Sequence, residues 1–141
     1  MDNKILIEEK LAYLKSLLKK IEYRLEKYDI EKDESERETL FAAMSKFSEE
    51  VIETAIKINN ILLEEEKDFA PTYYETFTRL LKYYDIDKDL ISNLAKTTGF
   101  RNRISHEYSN LDSRITIESF NNLLNLYPKY IDEIRRLVNS F

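Results

Sequence analysis

The chain has 141 residues, 43% of them hydrophobic, and a formal net charge of −5. That length fits one compact domain, taken as residues 1–141, and lets about two-thirds of the unfolded surface be buried without staples. The absence of cysteine excludes disulfides, thiolate metal sites and cysteine catalysis, and suits a reducing cytoplasm. A single glycine and two prolines are too few for a turn-rich β fold, so the expected class is all-α.

The first predicted helix carries Ile7, Leu11, Leu14, Leu18, Ile21, Leu25 and Tyr28 at alternating spacings of four and three, with lysines and glutamates opposite. A polar, mostly acidic stretch over residues 29 to 38 reads as a loop. A second helix is expected from about residue 37 to residue 65, with Leu40, Met44, Phe47, Val51, Ile58 and Leu62 inward. It should end at Glu64, Glu65 and Glu66, read as a solvated helix end rather than a metal site. Ala70 and Pro71 mark a break, because the residue before proline resists the α conformation.

Pro71 or Thr72 opens a third, shorter helix with Tyr74, Phe77, Leu80, Leu81 and Tyr84. The aromatic cluster Tyr73, Tyr74, Phe77, Tyr83 and Tyr84 is read as core and dimer packing rather than base stacking. A fourth helix starts near Lys88, carries Leu90, Ile91, Leu94 and Ala95, and contains Gly99. A last helix is expected from Thr116 as N-cap, with Phe120, Leu123, Leu124, Tyr127, Ile131, Ile134, Leu137 and Val138 inward and a kink at Pro128. Five helices with short links describe an antiparallel bundle. Neither a secretory h-region nor a run long enough to cross a bilayer occurs, so no membrane association is expected.

Residues 99 to 108 read Gly-Phe-Arg-Asn-Arg-Ile-Ser-His-Glu-Tyr. From Lys96 to Arg114 four basic residues face two acidic ones, a local balance of +2 that leaves −7 for the rest of a chain of net −5. Such a segment can bind an anion. His106 is the only histidine, and imidazole is the side chain suited to proton transfer near neutrality. Arg101 and Arg103 flank it, and guanidinium is well shaped for gripping phosphate. Asn102 and Ser105 add neutral hydrogen-bonding capacity. Phosphodiester cleavage without a metal needs this kind of set: a proton carrier for the ribose hydroxyl and leaving oxygen, and a fixed cation for the charged phosphorus centre. One difficulty is angular. Arg101 and His106, five apart, point about 140° apart on a straight helix, whereas Arg101 and Tyr108, seven apart, share a face. Either the helix distorts, or a second copy of the chain completes the site.

Arg101, four residues, His106, one residue, then Tyr108 resembles the signature of HepT proteins within the HEPN superfamily, with Asn102 matching the polar residue that often follows the arginine. The flanks "LAKTTGFRNRISHEYSNLD", "ETFTRLLKYYDID" and "LFAAMSKFSEEVIETAIKINN" are similar to the family's helices over roughly residues 37 to 138. The resemblance implies a dimeric helical bundle that brings two arginine–histidine motifs into one cleft and cleaves RNA without metal or cofactor. His106 would transfer protons, Arg101 would hold the scissile phosphate, Asn102 would orient one of them, and Arg103 would contact RNA backbone or lie on a solvated face. HepT proteins resemble one another too in being toxins paired with a minimal nucleotidyltransferase antitoxin, MntA, which attaches AMP to the motif tyrosine, here Tyr108. A bulky negative nucleotide beside the cleft would repel RNA. The alternative is a related binding subunit that presents nucleotide or substrate to a small nucleotidyltransferase and cuts nothing.

Overall fold

A computed structural model describes residues 3–141. Five α-helices follow in order: α1 (Asn3–Ile30), α2 (Glu34–Glu65), α3 (Tyr73–Thr78), α4 (Lys88–Glu107) and α5 (Ser113–Asn139). A 3₁₀ turn, Arg79–Lys82, extends α3, and another, Tyr108–Asn110, follows α4. The all-α class and the number of helices are as the composition and periodicity predict.

The four long helices run up-down-up-down. The link between α1 and α2 is only three residues long, which forces an antiparallel pair. Side chains tie that pair along its length, from Asn3 to Glu65 (2.5 Å) at one end, through Tyr13 to Glu50 (2.7 Å), to Arg37 on the Tyr28 carbonyl (2.6 Å) at the other. Next, α4 packs on α2, α5 on α4, and α5 returns against α1, while α3 sits between α2 and α4. The predicted stripe of α1 lies inside as expected, with Leu17 added and Tyr28 half-buried at the edge. Leu40 and Phe47 of α2 are likewise half-buried; Lys20 and Arg24 cover the Phe47 ring.

Two helix starts differ from expectation for one reason. The span 29 to 38 is not a loop: α1 runs to Ile30, and the Asp33 carboxylate accepts from the Glu36 N–H to start α2. Likewise Asp112, not Thr116, caps α5, accepting from the Ile115 N–H, while Thr116 is buried and donates to the Asp112 carbonyl. In both places an acidic residue in a polar run is the cap rather than part of a loop. Thr72 caps α3, which opens at Tyr73 rather than at Pro71 or Thr72. Helix α5 continues through Pro128, which lies on its exposed side.

The aromatic cluster does not behave as one unit. Phe77 is fully buried and Tyr84 half-buried, but Tyr73, Tyr74 and Tyr83 are exposed. Among the described residues no helix is long and apolar enough to cross a membrane.

Candidate active site

Helix α4 begins with the Asp87 side chain capping the Leu90 N–H and is anchored by Ile91, Leu94, Ala95, Phe100 and Ile104. Thr97 fixes it to α5 through a 2.7 Å hydrogen bond with the buried Tyr127 hydroxyl. This packing leaves Arg101, Asn102 and His106, beside the buried Thr98, along an open cleft of about 770 Å³ whose other wall is Pro71, Thr72, Tyr73 and Tyr74. Arg101 and His106 therefore do line one concavity. They flank the line from Thr98 to Asn102, and an unbroken helix separated by that angle can border both sides of a wide groove. Of the two alternatives, distortion of the helix or completion by a second copy, the first does not occur between them.

Arg101 is held rather than free. Its Nη2 donates to Glu53 Oε1 at 2.9 Å and its Nε to the same oxygen at 3.3 Å, while the guanidinium carbon lies 5.0 Å from the Tyr73 ring centre. Asn102 Oδ1 accepts from Nη1 at a long 3.4 Å. The carboxylate fixes one side of the fork, and the aromatic face supports the other by cation–π attraction. Glu53 was not among the residues singled out from sequence. A signal existed: Glu49 and Glu53 are four apart on α2, a repulsive pair unless cations answer it, and Ser105 and Arg101 are four apart on α4. The two helices run antiparallel, and each member of one pair meets one of the other.

Ser105 consequently faces α2, where it hydrogen-bonds Glu49, and it takes no part in the cleft. Burial alone would raise the Glu49 carboxyl, but hydrogen bonds from Ser105 and Lys46, with the charges of Lys46 and Arg101, hold it below the ordinary carboxylate range. Arg103 is exposed, packs its guanidinium over Phe100 (5.6 Å), and does not line the cleft.

Tyr108 lies elsewhere. At Glu107 the backbone leaves helical geometry (φ −133°, ψ 26°), so Tyr108 starts a new turn and does not share the Arg101 face that straight-helix counting gives it. It lines a separate pocket of about 240 Å³ with Tyr28, Glu34, Arg37, Glu38, Phe41 and Ser113. Its ring tilts against Phe41 at 6.3 Å. Partial burial, aided by the Glu38 carboxylate, raises its phenol above the usual value.

The cleft wall carries a histidine, an arginine and an asparagine amide, and no carboxylate lines it. This donor set suits a phosphate better than a divalent cation.

The fold is shared with a tri-AMPylated HEPN toxin from Shewanella oneidensis, solved in complex with its MNT antitoxin. The two superpose with a TM-score of 0.80 over 92% of this chain and 96% of that one, at 24% identity. A toxin–antitoxin structure solved with AMP-PNP matches equally, with a TM-score of 0.80 over 92% of this chain and 97% of the other at 23% identity. These likenesses define the class as an all-helical protein with the HEPN toxin fold. Residues 7–137 match the family described as "Ribonuclease HepT-like", and the chain belongs to that family. A protein named tRNA nuclease HepT, from Aphanizomenon flos-aquae (strain 2012/KM1/D3), is 32% identical over 92 residues. That stretch is 64% of this chain and about 60% of the relative's length. The family expected from the Arg101, His106 and Tyr108 pattern is thus the one found.

Proposed function

We propose that this protein is a ribonuclease toxin that cuts RNA without a metal ion, as a homodimer, and that a nucleotidyltransferase antitoxin silences it by adding AMP to Tyr108. The observation that supports the reading most is the shared cleft of Arg101, Asn102 and His106. Arg101, already oriented by Glu53, Tyr73 and Asn102, holds and polarises the scissile phosphate. His106 removes the proton of the ribose 2′-hydroxyl, whose oxygen attacks phosphorus. The 5′-oxygen leaves and takes a proton from a second acid, and the products are a 2′,3′-cyclic phosphate and a 5′-hydroxyl. His106 of a second copy is the acid this balance calls for, because the chain has only one histidine. Transfer RNA is the substrate class suggested by the name of the Aphanizomenon relative, and the modification and partner by the Shewanella complex.

The test is cleavage of a tRNA pool by purified protein in EDTA, with Tyr108 verified as unmodified by mass spectrometry. Wild type should produce cyclic phosphate ends, whereas His106→Ala and Arg101→Ala should lose cleavage while keeping the helical circular dichroism of the parent. Cleavage that persists in His106→Ala, or that requires a divalent cation, overturns the reading. A protein that binds nucleotide and a transferase but cuts no RNA would instead be the binding subunit.

A further inference from the structure

Two tyrosines form the wall that faces Arg101 and His106 across the cleft. Tyr73 and Tyr74 open α3 immediately after the Thr72 cap, and they stay 47% and 44% exposed while Phe77, one turn on, is completely buried against Tyr130. The core of this bundle is therefore closed without them. Their rings are spent differently. Tyr73 carries the Arg101 guanidinium on one face. Among the described residues Tyr74 meets no other aromatic ring and no cation, yet it lines the same cleft as Arg101, Asn102 and His106.

A nucleic-acid strand offers a phosphate and a flat base at each step. A cleft with a fixed guanidinium on one side and an open phenol ring on the other matches both. Stacking on an aromatic side chain needs a base free of its duplex partner and tolerates any base, since every base has a π-face. We propose that Tyr74, with the Tyr73–Arg101 stack beside it, is a nucleobase-stacking subsite for an unpaired nucleotide next to the phosphate that Arg101 holds. This rests on the ribonuclease reading above and adds to it a preference for cutting at unpaired positions. Tyr74 binds and does not take part in proton transfer. Its contact is the same before and during the reaction, so losing it raises KM and leaves kcat in place.

The experiment uses a single-stranded RNA oligonucleotide that wild type cuts, with 2-aminopurine in place of the base beside the cleavage position. Added to cleavage-dead His106→Ala, the probe's fluorescence should be quenched by stacking. The quench should vanish when Tyr74→Ala is combined with His106→Ala and return with Tyr74→Phe. In the active background Tyr74→Ala should raise KM on the order of tenfold. A wild-type KM and an unchanged quench in the Tyr74→Ala proteins overturn the subsite alone. So does a loss of dimer mass in sedimentation of Tyr74→Ala, which makes Tyr74 a contact between copies. A wild-type protein that neither binds nor cuts RNA overturns the ribonuclease reading itself.

Discussion

Arg101 reaches across from α4 to α2, where Glu53 Oε1 accepts from two of its nitrogens at 2.9 and 3.3 Å. The carboxylate is about one-third exposed, so the pair is screened and adds little to stability. Its effect lies in direction: it fixes which edge of the guanidinium faces the cleft. On the proposed reading Glu53 is thus a positioning residue, acting through Arg101. Glu53→Gln keeps one acceptor oxygen and should reduce kcat severalfold, while Glu53→Ala should cost more than tenfold, with the melting temperature changed little in either. Steady-state kinetics on the cleaved RNA give the split. A change confined to KM would mean that Glu53 shapes binding and not the arginine's alignment.

The chain's only glycine and the one left-handed non-glycine residue among the described residues sit in each other's natural places. Gly99 is inside α4 with no positive φ, and a Cβ there would meet only Arg103 Nη1 at an ordinary 3.7 Å. Lys67 has φ 55° just past α2, where the Asp68 N–H bonds the Leu63 carbonyl at 2.9 Å and the Lys67 N–H bonds that of Glu64 at 3.0 Å. That is the pattern in which helices usually place glycine. Gly99→Ala should stabilise the fold by about 0.5–1 kcal/mol, and Lys67→Gly by up to about 1 kcal/mol. Urea titration of the two variants checks both signs. A stabilised Gly99→Ala that has lost cleavage would show that RNA or a second copy approaches the α4 backbone there.

Much of this was legible in the residues themselves. The α1 stripe, the break at Pro71 and the start of α4 follow from spacing and local chemistry, whereas Arg101, Asn102 and His106 line one cleft although straight-helix counting set Arg101 and His106 on different faces. The failures share a cause, because periodicity describes one straight helix at a time. It could not show that Ser105 turns to Glu49, that Glu53 answers Arg101, or that the backbone at Glu107 carries Tyr108 into another pocket. Nor could it separate Phe77 from Tyr73 and Tyr74. Which aromatics are core depends on whether the four long helices already fill the interior.

Two phenols at the centre of the bundle make stability sensitive to alkali. Tyr127 and Tyr130 are pushed far above the usual phenol value by burial, and Tyr84 is pushed up to about 12, first by burial and then by Glu66 and Glu65. Unfolded phenols ionise near 10. As pH rises past that value the unfolded chain sheds protons that the folded chain keeps, so stability is complete below about pH 10 and falls above it. The two central phenols should also differ on truncation. Tyr130 donates to Asn59 Oδ1 (2.6 Å) and approaches the Ala55 carbonyl (3.1 Å), so Tyr130→Phe strands a buried amide oxygen and should cost about 1–3 kcal/mol. Tyr127→Phe should cost less, because Thr97 still donates to the Leu94 carbonyl at 2.6 Å. Denaturation at pH 7 and pH 11 measures the order and the slope; an equal loss in both variants would contradict the hydrogen-bond assignment.

Tyr108 occupies a pocket separate from the cleft of Arg101 and His106, so on the proposed reading modification and cleavage use different parts of the surface. Tyr108→Phe should leave RNA cleavage by unmodified protein within about twofold and abolish AMP incorporation by the transferase, since the two pockets share no lining residue. Its raised phenol, held up first by burial and then by Glu38, keeps the hydroxyl protonated at neutral pH. On the proposed reading a base must remove this proton as the oxygen attacks the α-phosphate of ATP and pyrophosphate leaves. Glu38→Gln removes the neighbouring negative charge, so the phenol ionises more readily and the rising limb of modification rate against pH should move to lower pH. Radiolabelled AMP transfer across a pH series reads this directly. A profile that does not move would mean that the proton leaves after the phosphorus–oxygen bond begins to form, not before it.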